Sequence, residues 1–199
     1  MNENTTHLLV AMFLSTTFGS YTVIHDQSND PLFGIEIRQD DDLKPYNRAL
    51  YHYTQRTRSA LLTQKSLIPV TYTNPSQRTV KSGRWFDVYT GVIFRNARDV
   101  DIDHLVPLYE VHISGGHDWD QEKKQAFAND LSVNGPLRVT HRWTNRIPKN
   151  ADDPSKYSPS YVPARCQYLK DWISIKRKWG LTADPDEAKA IRSQYKACG

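Results

Sequence analysis

The sequence predicts an α+β fold, on three observations. Residues 85–94 read as a short hairpin, residues 99–105 alternate apolar and acidic side chains, and residues 164–179 carry an amphipathic helical stripe. In the hairpin, Trp85-Phe86-Asp87-Val88-Tyr89 is one strand, Thr90-Gly91 the turn and Val92-Ile93-Phe94 the return. In the second stretch, Val100 and Ile102 alternate with Asp101 and Asp103, so a period of two puts both carboxylates on one face. His104 then ends the strand, because Pro107 follows closely.

The remaining elements follow in order. Residues 21–45 are polar and acidic, with a short strand expected at 34–37. A helix is expected around 46–63, closed by Pro69 at the latest. Residues 108–113 form a short helix broken by Ser114-Gly115-Gly116, and residues 120–129 form another, capped by Asp118 or Asp120. Asn134-Gly135-Pro136 is a turn, 137–139 a brief strand, and 141–147 a helix stopped by Pro148. In the stripe at 164–179, Leu169, Trp172, Ile173 and Lys176 recur at spacings of three and four, and Lys170, Arg177 and Lys178 face solvent. Gly180 closes that helix, and Asp184-Pro185 opens a last one ending at Tyr195.

A chain of 199 residues fits one domain, or one domain with an extension. Eleven tyrosines and five tryptophans point to a core built on rings, or to a surface that stacks on something flat, and Trp143 is read as a packing residue or one that stacks on a base. The net charge of +4 permits a polyanionic partner without demanding one. From residue 138 onward there are thirteen Lys or Arg against six Asp or Glu, which concentrates the positive charge in the last third. Two cysteines, Cys166 and Cys198, exclude a four-cysteine zinc site and could form one disulfide. Residues 8–18 are a mostly apolar run, too short to span a bilayer and followed by Gly19 and Ser20. It reads as a signal peptide over 1–20, with an n-region lacking Lys and Arg, or alternatively as a buried helix. If it is cleaved, the mature chain starts near Tyr21 in an oxidising compartment, where the disulfide is reasonable.

The stretch Asp101-Ile102-Asp103-His104-Leu105-Val106-Pro107-Leu108 resembles the signature of the HNH nucleases, also called His-Me finger or ββα-metal nucleases. It is most similar to the secreted branch related to the C-terminal domain of the GmrSD restriction enzymes. Tyr89-Thr90-Gly91, Phe127-Ala128-Asn129-Asp130, Leu137-Arg138-Val139, Asn145-Arg146 and the segment from Cys166 to the last cysteine carry the likeness, which covers about 85–199. The resemblance implies a ββα-metal core over about 85–150, a short antiparallel hairpin and surrounding helices, including C-terminal helices over 164–195, within a nuclease domain at 21–199.

It also implies roles. His104 is the general base, Asn134 orients it, and Arg146 contacts the reacting phosphate. Asp103 and Asn145 hold one divalent metal, with Mg²⁺ favoured and Mn²⁺, Ni²⁺ or Zn²⁺ as substitutes. Arg138, Arg142, Arg146 and Lys149 are expected to bind substrate, and Asp101 and Glu110 to support the site from behind. Two departures stand out: Gly135-Pro136 follows Asn134 where the family has an aliphatic run, and His112 replaces the family's tryptophan. The implied protein is a secreted monomeric endonuclease with little sequence preference, acting on DNA or RNA, with DNA favoured. The alternative is a secreted nucleic-acid-binding protein of the same fold without turnover.

Overall fold

Val100 and Ile102 cannot both be covered unless a second apolar strand lies beside them, and the computed structural model supplies it at Leu137–His141. The structure describes residues 29–40, 44–74, 76 and 79–198. The expected signal peptide lies outside these residues.

We number strands β1 (Thr71–Tyr72), β2 (Val80–Phe86), β3 (Ile93–Asn96), β4 (Val100–His104) and β5 (Leu137–His141). The helices are α1 (Gln55–Lys65), α2 (Leu108–Ile113), α3 (Gln121–Ala128), α4 (Arg142–Thr144), α5 (Arg165–Trp179) and α6 (Pro185–Tyr195). The architecture is mixed α+β, with two small antiparallel sheets in the orders β1-β2-β3 and β4-β5. In the second sheet Ile102 faces Val139, Asp103 faces Arg138 and His104 faces Leu137. The hairpin of 85–94 is present, with Phe86 opposite Ile93. Its turn needs Gly91: φ is +74°, and an added Cβ would lie 2.6 Å from the Tyr161 ring.

Two apolar clusters hold the elements. One packs α1 on the sheets through Leu61, Leu62, Trp85, Val100, Leu137 and Val139. The other joins α2, α3, α5 and α6 through Val111, Phe127, Leu169, Trp172, Ala188 and Ile191. Rings do fill the interior, as Trp85, Trp172, Tyr51, Tyr89 and Phe127 show, but Trp143 is 59% exposed and does not pack. Cys166 and Cys198 form a disulfide that fastens the chain end to the first turn of α5.

Several boundaries differ from expectation. The helix around 46–63 is two pieces, a 3-10 turn at Arg48–Tyr51 and α1, separated where Thr54 leaves helical geometry to cap α1. The strand at 34–37 is reduced to a single bridge between Ile37 and Ala183. Pro148 does not stop the helix after β5. Proline lacks the N–H that an α-helix needs there, and the chain widens into a π-turn at Asn145–Lys149, closed by Asn150 N–H donating to the Asn145 carbonyl (3.1 Å).

Glu110, expected behind the site, is buried elsewhere. Its carboxylate accepts from Lys176 Nζ (2.6 Å) and from Ser114 Oγ (2.6 Å). Lys176 is fully buried and also bonds Glu187 and the Thr182 carbonyl. Glu110 therefore ties α2 to α5 and α6. Burial pulls the Lys176 ammonium down, but the two carboxylates outweigh it and hold it raised.

Candidate active site

The two carboxylates of β4 face away from the α1 cluster, and the segment after β5 folds back across that face. The result is a cleft of about 460 Å³ lined by Asp101, Asp103, His104, Asn145 and Arg146. Arg48, Tyr53 and Arg58 line it as well, from a part of the chain to which the sequence assigned no role.

His104 is 8% exposed. Its Nε2–H donates to the Ala128 carbonyl (3.0 Å). A carbonyl only accepts, so Nε2 carries the proton and Nδ1 keeps the basic lone pair of the neutral ring. The ring stacks on Phe127 at 6.0 Å and meets Tyr53 edge-on at 6.1 Å. Burial pushes the imidazole down to about 4; the Ala128 hydrogen bond opposes this, and the charges of Arg48 and Lys149 add to it. His104 is a neutral base at ordinary pH.

Asp103 is 4% exposed. Its Oδ2 accepts from the Tyr89 hydroxyl (2.6 Å), and Lys149 Nζ lies 3.2 Å from Oδ1. Burial raises the Asp103 carboxyl above the usual range, and Lys149 and Tyr89 draw it part of the way back. Tyr89 is placed by Asp87, whose buried carboxylate accepts from the Tyr89 N–H, Thr140 Oγ1 and the His141 N–H. Arg146 makes a two-pronged pair with Asp101, Nε to Oδ2 at 2.8 Å and Nη2 to Oδ1 at 3.1 Å. Asp101 thus holds the guanidinium at the rim of the cleft, and Arg146 itself stays exposed.

Three expected substrate contacts are placed otherwise. Lys149 is fully buried: the π-turn rotates it inward, where Nζ donates to the His104 carbonyl (3.2 Å) beside Asp103. It is out of reach of a phosphate. Arg138 is committed to Asp171 (2.7 Å) and to the carbonyls of Gly135 and Leu137. Arg142 is exposed at the start of α4 and does not line the cleft. Asn134, expected to orient His104, is exposed and lines a separate depression with Arg138 and Asp171. The ring nitrogen it was expected to hold is taken by Ala128.

The run Phe127-Ala128-Asn129-Asp130 explains itself in this setting. Phe127 stacks on the His104 ring and the Ala128 carbonyl orients it. Asn129 Nδ2 donates to the His52 carbonyl (2.8 Å), and its Oδ1 accepts from the Thr54 N–H and from Thr57 Oγ1. Asp130 pairs with Lys178 (2.7 Å).

Among the described residues no cluster of three or more His, Cys, Asp or Glu side chains is placed to hold a metal. The expected set is smaller, one carboxylate and one amide oxygen. Asp103 and Asn145 border the same cleft, and each Asp103 oxygen keeps a lone pair beyond the single bond it accepts. These oxygen donors fit a hard divalent cation, against the competing charge of Lys149.

No family model matches the chain, and no solved structure matches it. A protein of Arthroderma benhamiae described as an uncharacterized secreted protein is 35% identical over 117 residues. That match takes in 59% of this chain and 56% of the relative, so the chain spans about half the length of the curated relative it matches.

Proposed function

We propose that the chain is a metal-dependent phosphodiesterase with a ββα-metal core that hydrolyses nucleic acid, DNA favoured, with His104 as general base. One observation carries the reading: a neutral imidazole, held through Nε2 by a backbone carbonyl, in a cleft that also presents Asp103, Asn145 and Arg146. The pairing of β4 with β5 and the turn after β5 that bears Asn145 support it, because Asp103 and Asn145 come to border one cleft.

In this reading Nδ1 of His104 takes a proton from water as the water oxygen bonds to phosphorus. The bond from phosphorus to the leaving oxygen breaks, and that oxygen gains a proton from solvent. Arg146, steadied by Asp101, faces a phosphoryl oxygen. Asp103 and Asn145 would hold one Mg²⁺ or a similar ion, whose chemistry is to neutralise charge on the phosphoryl oxygens. Contacts to the backbone rather than to base edges leave sequence preference low and salt dependence high.

Secretion belongs to the same proposal. The disulfide suits an oxidising compartment, the Arthroderma relative is described as secreted, and no helix among the described residues is long and apolar enough to cross a membrane.

The second reading, nucleic-acid binding without turnover, is favoured by one feature: both Asp103 oxygens already have partners, Tyr89 and Lys149. Plasmid degradation by the purified chain with added Mg²⁺ or Mn²⁺, suppressed by chelator and by His104→Ala, separates the two. Binding without cleavage across a metal and pH series would leave only the second.

A further inference from the structure

Residues 47–58 precede the stretch that carries the nuclease resemblance, yet Arg48, Tyr53 and Arg58 among them line the cleft. Arg48 stands on the 3-10 turn Arg48–Tyr51, which Asn47 caps through its side chain and Tyr51 anchors in the core. Arg48 is exposed, and among the described residues no carboxylate pairs with it. Tyr53 meets the His104 ring edge-on, and its hydroxyl is buried in the cleft wall without a hydrogen-bond partner. An orphaned buried donor costs stability, and Arg48, whose charge is felt at His104, lines the same cleft, so a negatively charged acceptor suits both.

This wall is also built rigidly against the base. Ala128 holds His104, and the next residue, Asn129, holds the backbone at His52 and Thr54. The imidazole and the Tyr53 segment are therefore fixed by two consecutive residues at the end of α3. Arg58 secures the far end of the segment, donating through Nη2 to the carbonyls of Ala97 and Val100 (2.8 Å each).

We propose that this segment completes the active cleft, with Arg48 and the Tyr53 hydroxyl binding the phosphoryl oxygens of a nucleic-acid backbone in the cleft that Arg146 also lines, an assignment that presupposes the phosphodiesterase reading above. The two residues replace the phosphate contacts that Lys149 and Arg138, both committed elsewhere, do not make.

The test uses the full chain with Arg48→Gln, Tyr53→Phe and His104→Ala. Binding of a labelled oligonucleotide is followed by anisotropy in chelator across a salt series, and cleavage with added Mg²⁺. Arg48→Gln should weaken binding about tenfold and lower the slope of log affinity against log salt by about 1, as loss of one phosphate contact requires. Tyr53→Phe should melt no lower than the unmodified chain, since it removes an unpaired hydroxyl, yet cut at least about tenfold more slowly. If both variants bind and cut like the unmodified chain while His104→Ala is inactive, the segment is only scaffold and this inference fails, with the nuclease reading intact. If the unmodified chain binds but never cuts, the catalytic reading fails, and the Arg48 binding series alone decides the anion site. Absence of both binding and cutting would sink both.

Discussion

Replacing Lys149 with Met separates a surface phosphate contact from a buried structural charge. Lys149 is fully buried, with Nζ 3.2 Å from Asp103 Oδ1 and 3.2 Å from the His104 carbonyl. Methionine keeps much of the stem and removes the charge, leaving the Asp103 carboxylate buried with the Tyr89 hydroxyl as its hydrogen-bond donor and Arg138 at a distance. Breaking a buried pair from one side costs about 3–5 kcal/mol, which for a domain of this size lowers Tm by roughly 10 °C. An exposed lysine would change stability by no more than about 0.5 kcal/mol. The penalty should also depend on pH. Burial already raises the Asp103 carboxyl, and losing Lys149 raises it further. The folded variant then holds a proton that unfolded aspartate has released, so its deficit is largest at neutral pH and shrinks as pH falls toward the unfolded value of about 3.9. Thermal melts of both proteins at pH 7.5 and pH 5 measure this. A variant that melts within 2 °C of the unmodified chain at both values, with a raised KM for DNA, would refute the buried-charge account and return Lys149 to the surface.

Four further outcomes are expected. In ring-nitrogen NMR spectra, His104 should appear as the neutral Nε2–H tautomer and stay unprotonated from pH 8 to 5.5, since burial holds it at about 4; a transition near the ordinary value of about 6.5 would contradict the Ala128 contact. Because the unfolded ring takes its proton first, the same group should cost stability as pH falls from about 6.5 toward 4. Replacing both Cys166 and Cys198 with Ser should lower unfolding stability by roughly 3–4 kcal/mol in urea titrations, as opening a loop of this length predicts; an unchanged midpoint would show that the tail is held by packing alone. Asn134→Ala should cut DNA within about twofold of the unmodified rate, and a loss of a hundredfold would mean that Asn134 reaches His104 after all.

Much of the site was legible in the chain because its key residues sit at ends of strongly patterned elements. The alternation at Val100-Asp101-Ile102-Asp103 sets both carboxylates on one face, and the apolar spacing of α5 with Gly180 beyond it marks that helix without ambiguity. Asp103, His104, Asn145 and Arg146 were named together and line one cleft. The segment 46–63 was harder, because α1 is mostly polar and its amphipathic stripe is weak, so the break at Thr54 carries no periodic signal. Asn129, by contrast, lies in the patterned run Phe127-Ala128-Asn129-Asp130, and its side chain ties that run to residues 52–57.

Sequence by itself determined the mixed α+β class, the paired carboxylates of β4 and the cysteines available for pairing, since each follows from spacing within a few residues. Only the tertiary structure decided what holds the His104 ring, where the positive charges go and what closes the cleft. His104 is oriented by a backbone carbonyl, which every residue owns and no sequence marks. Lys149 turns inward because Pro148 lacks an N–H and the helix must widen around it. Arg48 and Tyr53 reach the site because packing, not chain proximity, brings residues 47–58 beside the end of α3.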